Sequence, residues 1–349
     1  MRSWYLFLHK LLHWEYWPLW CIYYPLFPFW LYYTIKAKSF FFLTSCNPSI
    51  ANSGLAMESK MDIYDLIPNT YIPKTILVHP EETPVKMLSK AKSANINLPF
   101  IVKPDIGMKS FAVAKIHSLK SLSLYCSKID GPFLIQELIT YPKEVGIFYV
   151  KLPNESTGKI TGIVSKHFLE ITGDGKSTML ELILNYKRAA LQSKDLKKIY
   201  SHKINTILKK GETLVLIPFG SHTRGSKFID DSCKITSKLT HAIDAVCQQI
   251  NGFYYGRIDI KFTSFKDLEN QKNFSIIEIN GSGAEPTHMY DPKHTIFKAW
   301  KIILQHWQWM YATAKQNKDK GYNYLSFREG WQILSKHKAL EKKLKLIVV

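Results

Sequence analysis

The sequence lacks the cysteine patterns that define disulfide-rich or zinc-stabilised domains. Its five cysteines are Cys21, Cys46, Cys126, Cys233 and Cys247. The number is odd, and no two of them form a Cys-x-x-Cys pair or a cluster with histidine. This scattered arrangement predicts reduced thiols in a reducing compartment and argues against a structural zinc site.

Acidic residues are also scarce relative to basic ones. The chain has 28 Asp and Glu against 47 Lys and Arg, for a formal net charge of +19. Such an excess favours an anionic partner: a nucleotide, a phosphorylated substrate, an anionic lipid or a nucleic acid. The sequence contains no RNA- or DNA-binding motif, so no nucleic-acid partner is expected.

Charge is almost absent from residues 14–35, where aromatic side chains are dense. Glu15 is the one charged residue in this stretch, and three prolines interrupt it. Prolines break a regular helix, and Trp and Tyr favour the level of the lipid head groups. We therefore predict that residues 1–45 lie at a membrane interface rather than across a bilayer, with Lys36 and Lys38 near anionic head groups. The alternative is packing on the rest of the protein or on a second subunit.

Apolar runs bounded by turn residues predict a mixed order of strands and helices. Strands are predicted at 98–104, 111–116, 133–139, 144–152, 159–171, 213–219, 256–262 and 274–280. Helices are predicted at 118–129, 177–194, 234–250 and 293–316, and residues 263–273 are predicted as a polar loop. This order indicates an α+β fold with mixed or antiparallel sheets.

The sharpest chemical signal is the pair of segments GRIDIKF and IIEING. Residues two apart in a strand face the same side, so Arg257 and Asp259 share one face, as do Glu278 and Asn280. If the two strands are neighbours, three oxygen donors and one cation converge. Such oxygens suit magnesium, and the arginine could stabilise charge on a transferring phosphoryl group. An ordinary salt bridge between strands is the alternative.

This pattern of Arg-x-Asp on one strand and Glu-x-Asn on the next resembles the ATP-grasp superfamily, especially D-alanine–D-alanine ligase and the ATP-grasp part of cyanophycin synthetase. The resemblance covers about residues 60–300 and implies the ATP-grasp fold, in which two α+β subdomains clasp ATP. It implies that Asp259, Glu278 and Asn280 hold two magnesium ions, with Mn²⁺ as an alternative metal. It also implies that Arg257 is the catalytic residue that contacts the reacting phosphoryl group.

Three further motifs follow in the order that the family has. FIVKP resembles its phosphate-binding strand, FLIQELI its adenine hinge, and GDGKSTMLELI an element of cyanophycin synthetase. By this resemblance the ATP-binding residues are Lys103, Lys109, Gln136, Glu137, Ile139, Glu144 and Lys166, with Glu144 placed at the ribose hydroxyls. The loop that covers the phosphates is usually rich in glycine, whereas here it contains only Gly107. Taken singly, each motif also fits an ordinary buried strand or a capped helix.

The predicted organisation has four parts. Residues 1–45 form the aromatic segment, at the membrane interface or packed on protein; residues 46–95 form a reduced N-terminal lobe; and residues 317–349 form a basic C-terminal tail. Residues 96–316 form the ATP-grasp domain, with a small subdomain at about 96–142 and a large one at about 143–316. Because the reduced lobe normally helps to select the substrate, the resemblance does not identify the substrate.

The function implied is that of an ADP-forming ligase that joins a small-molecule carboxylate to an amine through an acyl phosphate. Two alternatives stay open: an ATP-grasp phosphotransferase of the kinase type, and a nucleotide-binding scaffold at a membrane. The expected location is the cytoplasm, peripheral on the inner face of the membrane. The oligomeric state is open, with a homodimer as one alternative.

Overall fold

The computed structural model describes residues 2–217, residue 220 and residues 222–347. The strands are β1 (Thr75–Val78), β2 (Phe100–Pro104), β3 (Ala114–Ile116), β4 (Phe133–Glu137), β5 (Lys143–Val150), β6 (Lys159–His167), β7 (Leu169–Thr172), β8 (Thr213–Ile217), β9 (Lys227–Asp230), β10 (Tyr255–Phe262) and β11 (Phe274–Asn280). The helices are α1 (Arg2–Leu12), α2 (Leu19–Tyr23), α3 (Phe27–Ala37), α4 (Lys60–Asp65), α5 (Pro84–Ser93), α6 (Leu119–Cys126), α7 (Met179–Asn185), α8 (Lys187–Ala190), α9 (Ser193–Ile199), α10 (Ser237–Cys247), α11 (Phe265–Glu269), α12 (Ile296–Asp319) and α13 (Phe327–Leu346). Short 3₁₀ turns include Trp14–Tyr16, His222–Arg224 and Thr287–Tyr290.

The strands form three sheets. One has the order β1-β4-β2-β3, a second has the order β11-β10-β5-β6-β9, and β7 and β8 form a ribbon. Every pairing between these strands is antiparallel. The predicted α+β class with antiparallel sheets is therefore confirmed, and so is the aromatic-rich N-terminal region.

The four-stranded sheet packs against α5 and α6. Thr83 and Ser118 cap these helices, since each accepts a hydrogen bond from a backbone N–H in the first turn. Phe100, Phe133 and Ile135 lie in the core beneath them. Strand β1, which falls in the predicted lobe of residues 46–95, pairs with β4, so the sheet continues across position 95. The predicted domain boundaries stay a prediction.

The five-stranded sheet supplies the main core. Ile147, Ile163 and Ile258 are register partners on β5, β6 and β10, and they pack on one face with Ile243 and Val246 of α10. Side chains that stand opposite each other on neighbouring strands lie on the same face of a sheet. Across the other face lies α12. The two strands that carry the sharpest sequence motif, β10 and β11, thus stand at one side of a well-packed sheet.

The aromatic segment folds onto the body of the protein with one side only. Trp14, Ile22 and Leu26 are buried with residues of α12. The indole N–H of Trp14 donates to the carbonyl oxygen of His294 at 2.7 Å, and that of Trp300 donates to the carbonyl oxygen of Ile22 at 2.9 Å. Within the described residues, none of the helices combines the length and the apolar character needed to cross a membrane.

Several predicted elements are divided or replaced in the structure. The single strand expected at 159–171 is two strands, β6 and β7, that belong to different sheets. The helix expected at 177–194 breaks at Tyr186, whose backbone is extended (φ −89°, ψ 107°). Residues 263–273 contain the short helix α11. The basic tail holds the long helix α13, which buries Leu344 against the four-stranded sheet.

Candidate active site

A cleft of about 1000 Å³ is lined by residues of both large sheets. All of the site residues predicted from the sequence line it: Lys103, Lys109, Gln136, Glu137, Ile139, Glu144, Lys166, Arg257, Asp259, Glu278 and Asn280. Segments more than 150 positions apart in the chain are thereby brought to one cavity. Their individual roles remain predictions.

The motif on β10 faces the motif on β11 directly. Arg257 stands opposite Asn280 and Asp259 stands opposite Glu278 in the antiparallel register. The Nε atom of Arg257 lies 3.1 Å from Oδ1 of Asp259, and Nδ2 of Asn280 lies 3.5 Å from Oδ2 of the same carboxylate. One guanidinium, two carboxylates and one amide therefore share a single patch of the cleft wall.

A glycine on the adjacent strand makes room for this patch. Gly146 of β5 is the register partner of Asp259. A Cβ atom at Gly146 would lie 2.9 Å from Oδ1 of Asp259 and 3.0 Å from Cδ of Arg257. Both distances are shorter than ordinary van der Waals contact. Glycine at this position leaves room above β5 for the side chains of Arg257 and Asp259.

Lys166 joins two of the predicted contact residues in one ion-pair network. Its Nζ atom lies 2.8 Å from Oε1 of Glu144 and 3.1 Å from Oδ2 of Asp259. Burial opposes the charge on Lys166, but the two carboxylates outweigh it and raise the pKa of the ammonium. Burial likewise opposes the charge of Asp259, yet Arg257 and Lys166 hold the pKa of its carboxyl below its usual range. Glu144, which the motif comparison places at the ribose hydroxyls, is thus paired with a lysine.

Lys103 is buried at the end of β2 and is held by a bulge in β11. The register of β11 shifts beside Asp259, so that Ile277 has no partner on β10. The Nζ atom of Lys103 donates to the Tyr64 hydroxyl at 2.7 Å and to the Ile277 carbonyl oxygen at 3.3 Å. Burial lowers the pKa of Lys103 to about 8, although Glu278 nearby favours its charge.

The predicted adenine hinge is already rich in internal contacts. Nε2 of Gln136 donates to the Thr75 hydroxyl at 2.8 Å. The carbonyl oxygen of Ile139 accepts from Nζ of Lys261 at 3.5 Å. The side chain of Gln136, which the hinge motif predicts to bind ATP, therefore already has a hydrogen-bond partner on β1.

Lys109 lies at the edge of the cleft but points to another element. Its Nζ atom lies 2.5 Å from Oε1 of Glu341 on α13. Lys109, Ser110 and Ala112 all have left-handed backbone conformations, with φ near +55°. Non-glycine residues adopt such conformations at a cost. The loop is therefore held in a conformation in which Lys109 pairs with α13.

The donor set on β10 and β11 fits a magnesium ion that is completed by other ligands. Among the residues that the structure describes, no group of three His, Cys, Asp or Glu side chains could hold a metal unaided. Asp259, Glu278 and Asn280 supply two carboxylates and an amide, which are hard oxygen donors. Magnesium usually takes its remaining ligands from water and phosphate. The Glu278 carboxylate is the least committed of the three, since its nearest cation, Nζ of Lys60, is 3.8 Å away.

Glu285, which no sequence motif singles out, links the aromatic segment to Arg257. Its Oε1 atom accepts from the Tyr23 hydroxyl at 2.7 Å and from the Tyr290 hydroxyl at 3.1 Å. Its backbone carbonyl oxygen accepts from Nη1 of Arg257 at 3.3 Å. Tyr23 belongs to α2, so the aromatic segment takes part in fixing the candidate catalytic arginine.

A second unexpected group lies where the aromatic segment lines the cleft. Oε2 of Glu15 lies 2.7 Å from Nη2 of Arg188 and 3.2 Å from Nε2 of His222. Burial disfavours the Glu15 carboxylate, but the hydrogen bond to His222 and the charge of Arg188 lower the pKa of this group overall. Isolated charges far apart in a sequence carry no pattern, so only the folded chain reveals this cluster.

Comparison with known proteins finds likeness only at the level of structure. No family model matches the chain, and no curated protein matches it in sequence. Solved structures that match it include a bifunctional glutathione synthetase from Pasteurella multocida (11% identity, TM-score 0.39), a D-alanine–D-alanine ligase from Bacillus anthracis (12%, 0.43) and the VanG D-Ala:D-Ser ligase from Enterococcus faecalis (14%, 0.40). The alignments cover 74%, 76% and 72% of this chain, and 38%, 70% and 64% of those chains. These three solved structures are ATP-grasp enzymes, and at TM-scores below 0.5 the likeness carries no argument about this chain.

Proposed function

We propose that the protein is an ATP-dependent carboxylate–amine ligase of the ATP-grasp type. The observation that supports this proposal is the convergence of Arg257, Asp259, Glu278 and Asn280 in one cleft with Lys103 and Lys166. The cations come from strands of two different sheets. A cleft that places oxygen donors for magnesium between basic groups from two sides suits a nucleoside triphosphate.

The basic residues would bind and orient the phosphates. Lys103 and Lys166 are both nearly excluded from water. Lys103 donates a hydrogen bond to the Tyr64 hydroxyl, and Lys166 donates one to the Glu144 carboxylate. Groups fixed in this way lose little freedom when they meet an anion, and the low local dielectric strengthens their attraction. Lys60, which lies near Glu278, adds a third lysine to the same cleft.

Asp259, Glu278 and Asn280 would hold the metal, which we propose to be two magnesium ions with Mn²⁺ as a substitute. When bound, magnesium neutralises phosphate charge and favours loss of phosphate as a leaving group. Arg257 would stabilise the negative charge on the transferring group. Its guanidinium is fixed by Asp259 and by the carbonyl oxygen of Glu285, so it needs no reorganisation during the reaction.

The reaction proposed balances as two transfers. A carboxylate oxygen takes the γ-phosphoryl group of ATP, which releases ADP and leaves an acyl phosphate. An amine nitrogen then bonds to the acyl carbon, the C–O bond to phosphate breaks, and the nitrogen loses one proton to give an amide. During both steps, the residues of the cleft would bind and orient the substrates and would exclude water.

The test is ADP release with magnesium and pooled amino acids and dipeptides, followed by mass spectrometry of the products. An amide product supports the ligase. A phosphorylated product without an amide would favour the phosphotransferase, and ATP binding without ADP release would favour the scaffold. Light scattering of the full chain tests the homodimer alternative, and fractionation of cells tests the proposed peripheral, cytoplasmic location.

A further inference from the structure

The outer side of the aromatic segment, which is formed by residues 4–38 and which we call the aromatic face, is exposed and apolar. Its exposed large apolar side chains are Trp4, Tyr5, Phe7, Leu11, Leu12, Leu19, Trp20, Tyr24, Phe27, Phe29, Leu31, Tyr32 and Ile35. Trp20, Tyr24 and Ile35 are each more than 70% exposed. Large apolar patches of this kind are rare on monomeric proteins and mark interaction sites.

This exposed face is held in place by the inner side of the same segment. Ile22 and Leu26 are completely or almost completely buried, and the indole of Trp300 anchors the backbone of α2. Tyr23 reaches Glu285 in the cleft. The aromatic face is therefore part of the folded body, and its orientation relative to the cleft is fixed.

The charge of the aromatic face has one sign. Between Trp4 and Lys38 the sequence has no acid except Glu15, and Glu15 is buried in its ion pair with Arg188. Lys10, Lys36 and Lys38 are exposed. An apolar aromatic face flanked by cations and free of accessible carboxylates complements an anionic lipid surface.

The cleft opens beside this face. Lys10, Trp17 and Leu19 line the cleft, and Leu19 is also 51% exposed. The neighbouring side chains of Leu12 and Trp20 are exposed at the same place in the chain. A molecule held in a lipid surface under the aromatic face would therefore lie next to the mouth of the cleft.

We propose that the aromatic face docks on an anionic lipid surface and that one substrate of the cleft is amphiphilic, with a carboxylate or amine head and an apolar chain. The head would enter past Leu19 toward Arg257, while the chain stays in the lipid. The substrate class rests on the proposed ligase function, whereas the docking does not.

Docking is tested by sedimentation of the full chain with vesicles of phosphatidylcholine alone and with added phosphatidylglycerol. We expect binding to the anionic vesicles, with a loss of about fivefold for each lysine removed at positions 36 and 38. Trp20→Ser with Ile35→Ser should weaken binding about tenfold or more, because two inserted apolar side chains are lost. The matched control, Val85→Ser with Leu124→Ser, changes two exposed apolar residues on α5 and α6 and should bind as the wild type does.

Three outcomes would overturn the docking. The first is that the wild type stays in the supernatant with both kinds of vesicle. The second is that the variant with Trp20→Ser and Ile35→Ser binds as well as the control. The third is that the protein sediments equally without vesicles, which would show self-association in place of lipid binding.

The substrate class is tested by ADP release with Mg·ATP and pooled amino acids, which supply the second substrate, together with one member of a pair that shares a head group: dodecylamine or propylamine, and dodecanoate or propionate. We expect release from the long-chain member of a pair, in the presence of anionic vesicles. Equal release with both members, release with the short one alone, or no increase over measurable release with the amino acids alone would overturn it. Failure of the ligase proposal would appear as no ADP release with any of these substrates, which leaves vesicle sedimentation unchanged.

Discussion

The Nζ atom of Lys166 lies 3.1 Å from Oδ2 of Asp259, and both side chains are almost completely buried. The carboxylate that the sequence assigns to a metal is thus also the partner of a lysine that the sequence assigns to phosphate. Under the proposed function, metal and phosphate binding would act on a preformed ion pair, and the two events should be coupled through it.

Replacing Lys166 should lower the unfolding free energy more than replacing a lysine of an ion pair at the surface. Lys166→Met leaves the Glu144 and Asp259 carboxylates without that cation, and removing one partner of a buried pair costs roughly 3–5 kcal/mol of unfolding free energy. Lys234→Met removes an exposed partner of Asp231 and should cost about 1 kcal/mol or less. Urea denaturation measures both, and equal small losses would contradict the buried network.

Glu278→Ala should abolish ATP turnover and leave the fold intact. Glu278 is partly exposed to the cleft and its nearest cation is 3.8 Å away, so little folding energy depends on it. Its loss removes an oxygen donor from the proposed metal set. Glu170→Ala, on the exposed side of β7, is the control. ADP release from Glu278→Ala at the wild-type rate would refute its assignment to the metal.

Gly146→Ala should disturb the Arg257–Asp259 pair through space alone. The added methyl group would lie 2.9 Å from Oδ1 of Asp259, so the pair or β5 must shift. We expect a loss of about 1–3 kcal/mol in unfolding free energy, typical of overpacking, together with a fall in ADP release. Gly131→Ala is the matched control, because nothing lies within 4 Å of its Cβ position. If Gly146→Ala has the unfolding free energy and ADP release of the wild type, the side chains of Arg257 and Asp259 do not pack tightly against β5.

Much of this site can be predicted from the sequence because its residues lie on strands. Alternation along a strand determines which side chains share a face, so the sequence alone is enough to place Arg257 beside Asp259. The network of Glu15 with Arg188 and His222 cannot be predicted in this way, because it joins distant segments through tertiary packing alone. Motif comparison likewise gives no sign of the pair between Lys109 and Glu341, because Glu341 lies on a helix in the region expected to be a tail.

The same distinction holds for the fold. Strands such as β4 and β10 are predicted nearly at their observed bounds, because buried apolar runs bounded by turns are a local signal. The division between β6 and β7 is not predicted, since the apolar pattern continues through both and only their partners differ. The long helix α13 buries few residues and is rich in lysine, so its composition resembles that of a solvated tail.

The buried charge of Lys103 should lower the unfolding free energy of the protein near neutral pH. Burial lowers its pKa to about 8, whereas an unfolded lysine keeps a pKa of about 10.4. Between these values the unfolded chain binds more protons, so the unfolding free energy should rise as pH increases through this window. Below it, both states are protonated and the folded state carries the full cost of the buried charge.

Lys103→Met should therefore raise the unfolding free energy near neutral pH by on the order of 1–3 kcal/mol and abolish the rise above about pH 8. It should also weaken binding of Mg·ATP. Lys92→Met, at an exposed position on α5, controls for the loss of a positive charge. Unchanged or lower stability would mean that the hydrogen bonds to Tyr64 and Ile277 already offset the burial.

The pair Lys109–Glu341 should restrain nucleotide binding. Lys109 lies 2.5 Å from Oε1 of Glu341, and it must leave this carboxylate to reach a phosphate in the cleft. Exposed pairs of this kind contribute about 0–1 kcal/mol, so releasing the lysine should tighten ATP binding by up to about fivefold. Glu341→Gln removes the carboxylate charge and keeps the shape of the side chain.

A double-mutant cycle tests whether that gain passes through Lys109. ATP affinity is measured by calorimetry for Glu341→Gln, for Lys109→Ala and for the two changes combined. Lys109→Ala alone should weaken binding, and Glu341→Gln should then have no further effect, because the lysine it would release is gone. An equal gain from Glu341→Gln in both backgrounds would show that the general loss of negative charge, rather than release of Lys109, tightens binding. Raised salt should reduce the difference between wild type and Glu341→Gln, since exposed pairs are screened.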